Sequence, residues 1–241
     1  MVRFKNLKVS CLFFAVLIAV VACNDKDNTL TVSSDVVFWK KEIGNQAVYG
    51  VAYYLQANQG LDSVIVTLPD EQRVKLKQHE TNTYLFWSEP GNEEFTVVKP
   101  VSGNYLFNVW SKKGEHLEID EEQDFYELPF AEIDSTAFDQ INNWFYVGWR
   151  NVYGADAYNT MLFKLSGEVF FSGYVILATE MRDYKISDFH YTGAWWGKPE
   201  KGQRYNLKIN AIKYDDPADK SNPYNTQIIS EIVREITWQL E

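Results

Sequence analysis

Ser102-Gly103-Asn104-Tyr105-Leu106-Phe107-Asn108-Val109-Trp110 decides the fold. Tyr105, Phe107 and Val109 fall at every second position, so in an extended chain they share one face. Lys113-Gly114 then turns the chain. Upstream, further short runs follow the same rule. Ala47 to Leu55 is β-branched and aromatic, Ser63 to Leu68 alternates and stops at Pro69-Asp70, and Arg73 to Lys77 alternates charge with apolar residues. Tyr84-Leu85-Phe86-Trp87 and Phe95-Thr96-Val97-Val98 read as two more strands, separated by Gly91-Asn92. Strands of this length with turn signals at this spacing predict an all-β sandwich.

The stretch Pro100 to Val109 resembles the late strand of immunoglobulin-like domains, where a turn precedes an aromatic, alternating strand. The resemblance implies a first immunoglobulin-like domain over residues 35–125. In the second half, Trp144 to Phe163 resembles strands B and C of a fibronectin type III domain. Trp149 stands where that family's strand B ends, Gly154-Ala155-Asp156 at its turn, and Tyr158 at the opening of strand C. Gln203 to Ala211 resembles strand F, with Tyr205, Leu207, Ile209 and Ala211 facing inward, and Ile232 to Leu240 would be strand G. The second domain is then 126–241, with Trp149 and Tyr158 in its core. Residues 169–202 are longer than the family's middle strands require. Ile228, Ile232, Ile236 and Leu240 also share a helical spacing, so a terminal helix stands as the alternative to strand G, against the β-branched content. Between the halves, Asp120-Glu121-Glu122-Gln123-Asp124 reads as a solvated junction running from Glu118 to Glu132. Its spacing matches no defined calcium loop.

The N-terminus reads as an export signal. Arg3, Lys5 and Lys8 precede an uncharged run from Val9 to Ala22, about 14 residues and short of the ~20 that span a bilayer. Val20-Val21-Ala22-Cys23 resembles a bacterial lipobox. It implies a cleaved signal over 1–22, lipid on Cys23 and a tether over 23–34. An uncleaved anchor or ordinary secretion are the alternatives. Asn24-Asp25-Lys26-Asp27 resembles the short acidic export signal of Bacteroidetes surface lipoproteins, which implies an outer-membrane, surface-exposed protein. A plain flexible tether would look the same. Cys11 falls inside the signal and Cys23 is taken by lipid, so the mature chain keeps no thiol.

Loss of the three positive signal residues takes the net charge from −10 to −13 over the remaining 219 residues. Such a chain has no basic stripe for nucleic acid. Its three histidines are scattered, with no His-Glu-x-x-His. It carries no Gly-x-Ser-x-Gly elbow and no phosphate loop. We therefore expect no catalytic site, metal or cofactor, and read the protein as a binding protein and not an enzyme. The one unusual candidate site is Phe189 to Pro199. Adjacent Trp195 and Trp196 cannot both face one core, so at least one of them is expected to be exposed, and Trp195, Trp196 and Tyr191 are the candidates for contact with a sugar ring. The alternative is that one tryptophan fills the core and the other packs under the loop. Two functions follow as expectations: a glycan-binding accessory of a polysaccharide-uptake system, or an adhesion or envelope-assembly protein that binds another protein.

Overall fold

The computed structural model describes residues 29–179, 183–187, 192–219 and 225–240. The signal segment, Cys23 and Tyr191 lie outside them. The first half contains β1 (Val32–Ile43), β2 (Gln46–Ala57), β3 (Leu61–Thr67), β4 (Arg73–Lys75), β5 (Lys77–Gln78), β6 (Leu85–Ser88), β7 (Gly103–Ser111) and β8 (His116–Gln123). The second contains β9 (Ile133–Asp139), β10 (Trp144–Trp149), β11 (Ala157–Lys164), β12 (Val169–Gly173), β13 (Ile176–Leu177), β14 (Asp183–Ser187), β15 (Gly193–Trp195), β16 (Arg204–Tyr214) and β17 (Thr226–Thr237). One 3₁₀ turn, Asn92–Glu94, breaks the pattern.

Both halves are sandwiches with one wiring. In the first, β4-β3-β7-β8 forms one sheet, and β1-β2-β6-β5 lies opposite it. In the second, β12-β11-β16-β17 faces β14-β10-β9. Aromatic side chains join the layers: Phe38 of β1 meets Tyr105 of β7, and Phe145 of β10 meets Trp238 just past β17. Each half also fastens its β7-type strand with a tyrosine hydroxyl. Tyr105 donates to the Val101 carbonyl at 2.8 Å, and the Glu200 amide donates to Tyr205 at 3.2 Å. This corner bond is characteristic of immunoglobulin-like sandwiches. The chain is thus all-β, with two immunoglobulin-like or fibronectin type III-like sandwiches in tandem. Trp149 closes β10, Tyr158 lies at the start of β11, and their rings meet at 5.2 Å inside the core.

The two sandwiches share a sheet. β1 pairs antiparallel with β2 along all twelve residues and, on its other side, parallel with β17 from Phe38↔Ile228 to Lys41↔Glu231. That contact fuses two half-sheets into one ten-stranded sheet. The connecting segment 124–132 adds to the seam. Leu128 and Ala131 are fully buried, and the cores of both halves run together as one apolar cluster. Lys40 helps hold the segment, donating to the Leu128 carbonyl at 3.0 Å and lying over the Phe130 ring.

The expected strand G is present, longer than expected: residues 226–237 form a strand and not the alternative helix, because β17 has a hydrogen-bonding neighbour on each side and β-branched residues suit that position. Three other expectations are corrected. The strand expected over Phe95–Val98 is a loop with a single bridge, Tyr49↔Thr96; the 3₁₀ turn before it and Pro100 after it prevent a ladder. The acidic run Glu118 to Gln123 is not a junction but β8 itself, with Glu118, Asp120 and Glu122 outward and Glu121 and Gln123 inward. The tether is shorter than expected, since Val32, Ser33 and Ser34 already pair with Ala57, Gln56 and Leu55. Among its described residues the long stretch 169–202 holds four short strands, β12 to β15, where the family pattern had room for fewer.

Candidate functional site

A cleft of about 330 Å³ opens in the first half. The 14-residue connection 89–102 between β6 and β7 forms one wall, and the β3–β4 turn at Leu68-Pro69-Asp70 forms the other. Tyr49 to Tyr53 of β2 and Tyr105 of β7 make the floor. Connections this long are uncommon without a role. This one is pinned at several points. The Tyr49 and Thr96 backbones exchange hydrogen bonds of 2.7 and 3.0 Å. Pro90 sits over Gly50, where a Cβ would come within 2.7 Å of its ring, so glycine is needed for the close approach. The Lys41 ammonium lies 3.4 Å from the centre of the Phe95 ring. Glu94 closes its own turn by accepting the Gly91 amide at 2.5 Å.

Pinning this loop leaves apolar side chains in water. Val97, Val98 and Val101 are 64%, 71% and 56% exposed, and the last two line the cleft with Pro69, Pro90 and Pro100. Charge is placed around them. Lys99 bonds to Glu127 of the connecting segment, and Tyr49 donates to the same carboxylate at 3.1 Å. The Lys99 bond, with help from Tyr49 and Lys40, holds the Glu127 carboxyl below its ordinary range. Asp70 and Glu94 also line the cleft. Asp70 accepts the Gln72 amide at 3.2 Å and its side-chain nitrogen at 3.0 Å. On the floor, burial first and the Asp70 charge second push the Tyr105 hydroxyl up to about 12, and burial raises Tyr53 in the same direction.

The tryptophan pair divides as the alternation rule requires, which corrects Trp195 as a contact candidate: its ring is turned inward and its nitrogen is already bonded. Trp195 packs on Phe171 at 4.5 Å and edge-on to Trp238, and its ring nitrogen donates to the Ser187 carbonyl at 2.8 Å. Trp196 is 60% exposed. The close approach of β15 to β12 depends on Gly193, at φ +153°, where a Cβ would come within 2.2 Å of the Ser172 carbonyl oxygen. Tyr191, the third residue of that expected site, lies outside the described residues.

A second polar cluster lies at the seam. Asp35 of β1, Glu121 of β8 and Asp215 after β16 are carboxyls whose charges act on one another. Burial dominates for each and raises all three, Asp35 to about 8. Asp35 accepts the Thr226 amide at 3.4 Å, Ser34 donates to Glu121 at 2.8 Å, and Gln123 bonds Asp215. Among the described residues no group of three or more histidine, cysteine, aspartate or glutamate side chains is placed to hold a metal ion. Among them, too, no helix is long and apolar enough to cross a membrane.

No protein-family model and no curated protein matches the chain. Among solved structures it is similar to the FN1–FN3 domains of chicken CNTN1 at 13% identity and a TM-score of 0.30, covering 87% of this chain and 65% of that one. It is also similar to a tetra-tandem repeat from the extending region of a large adhesion protein, at 10% identity and a TM-score of 0.24, covering 85% of this chain and 50% of that one. A third likeness is to dimeric latent PorU from Porphyromonas gingivalis, at 8% identity and a TM-score of 0.26, covering 86% and 20%. The chain thus spans less than two thirds of each of these structures.

The cleft residues Tyr53, Asp70, Val98, Tyr105 and Val101 were not expected as a site from the sequence. The signal was there: two valines between Pro90 and Pro100 and a third straight after, in a segment that cannot complete a strand.

Proposed function

We propose that this protein is a lipid-anchored binding protein of the cell envelope, held to the outer membrane through Cys23 and displayed at the surface. In this reading it serves adhesion or envelope assembly by docking another protein at the cleft. One observation carries it: an ordered loop holds Val97, Val98 and Val101 in water beside a proline-walled cleft. A folded chain gains by burying such side chains at ~25 cal/mol per Å² of apolar surface, so keeping them exposed on a pinned loop marks an interaction surface. The lipobox-like Val20 to Cys23 supports the anchor. The glycan alternative rests on Trp196 alone as an exposed tryptophan face, whereas Tyr53 and Tyr105 are buried and present none.

The test places a photo-crosslinking amino acid at Val98 in intact cells, with a control at Lys113 in the β7–β8 turn. The expected result is a discrete adduct from position 98 and none from 113. Equal, diffuse labelling at both would remove the docking reading. Palmitate labelling that survives C23S would remove the anchor. Retardation on polysaccharide gels that is abolished by W196A would restore the glycan alternative.

A further inference from the structure

Resting on the reading that the cleft docks a protein, we infer that its occupant is an extended apolar segment carrying a lysine or arginine, with that cation held at Asp70. The cleft, about 330 Å³, is at the small end for a ligand site and takes a few side chains of a segment. Its walls, Pro69, Pro90, Pro100, Val98 and Val101, call for aliphatic contacts.

The charge pattern supplies the rest. Two carboxylates line the cleft, Asp70 and Glu94. The lining lysine, Lys99, is already bonded to Glu127. Among the described residues neither carboxylate is neutralised by a cation: Glu94 accepts the Gly91 amide and caps its own 3₁₀ turn, and Asp70 accepts the amide and side-chain nitrogen of Gln72. Asp70 also lies near enough to the Tyr53 and Tyr105 hydroxyls for its charge to act on both. A carboxylate beside two phenols and apolar walls suits an ammonium or guanidinium with an aliphatic stem. An acidic ligand meets repulsion there. A second copy of this chain is a poor occupant, since the mature chain is itself strongly acidic.

The experiment selects displayed random dodecapeptides on the mature chain and measures the recovered sequences as synthetic peptides with acetylated N-termini. The expected binders share a lysine or arginine flanked by aliphatic residues. D70N should weaken them at least tenfold. This variant keeps the oxygen that accepts the Gln72 amide, and an unchanged melting temperature checks that it folds. Norleucine in place of the basic residue should cost the same, and combining both changes should add little, because each removes the same contact. Acidic or uncharged binders overturn the inference, as do losses that add independently. Recovery of no peptide that V98S or V101S weakens also overturns it. The crosslink at position 98 reads contact whatever the partner's charge, so that result stands or falls separately.

Discussion

Asp35 is nearly dehydrated, and its nearest charges have the same sign. Its carboxyl is raised from the ordinary 3.8 to about 8, mainly by burial, with Asp215 and Glu121 adding to the rise and the Thr226 amide opposing it. The sign of the stability effect follows. Between those two values the folded chain holds one proton more than the unfolded chain, so stability falls as pH rises. The contribution is whole below about pH 4 and lost by about pH 8. Removing the titration should therefore stabilise the protein only where the proton is missing. D35N is expected to gain on the order of a few kcal/mol at pH 8.5 and little at pH 4. Urea melts across that range measure this; a gain independent of pH would show that Asp35 is not the titrating group. Sequence alone could not give the effect, because Asp215 lies 180 residues away and only the β1–β17 seam brings it close. The corner tyrosines were within reach. Pro100, Gly103, Tyr105, Phe107 and Val109 match Pro199, Gly202, Tyr205, Leu207 and Ile209 but for one residue inserted before the second tyrosine. Alternation marked both strands; comparing them would have shown one half repeating the other.

β17 carries the join between the halves. Ser230 is fully buried and pairs with Lys40 of β1 on one side and Ala211 of β16 on the other. A proline there removes an amide from a strand with two neighbours, where no edge can absorb the loss. S230P should cost about 3 kcal/mol or more. It should also speed amide exchange in β1 and β16 beyond that in β3 and β7; uniform acceleration would argue that the seam is not separately held. This element was the least legible in the sequence. Ile228, Ile232, Ile236 and Leu240 satisfy a helical period, and what decides for a strand is a partner at the far end of the chain. β8 misled for the opposite reason. Glu118, Asp120 and Glu122 alternate with Leu117, Ile119, Glu121 and Gln123, but five polar residues together look like a linker. The aromatic runs β2, β7 and β11 were legible because side-chain alternation alone specifies which face is buried.

At the scale of the molecule, the main apolar cluster, which spans both halves, and the shared sheet make the two sandwiches one cooperative body. Calorimetry should give one transition for the whole mature chain, and residues 29–123 expressed alone should melt well below it. Two resolved transitions, or an isolated half as stable as the whole, would contradict this. The site was only partly legible at this scale. Neighbouring side chains on a strand point to opposite faces, which separated Trp195 from Trp196. The cleft needed two segments about 30 residues apart, Pro69-Asp70 and Val98 to Val101, and a glycine at 50 to bring them over one floor.

The parallel contact between β1 and β17 also sets how the molecule answers tension. On the proposed attachment through Cys23, a pull on a docked partner is transmitted through the first sandwich to the start of β1. The load then runs along the strand, and β1 is clamped on both flanks, by β2 over twelve paired residues and by β17 over four. Ladder bonds lie across the strand direction, so they are strained together in shear and do not peel one at a time. A receptor wired this way yields at its tether or at its ligand before its fold gives way.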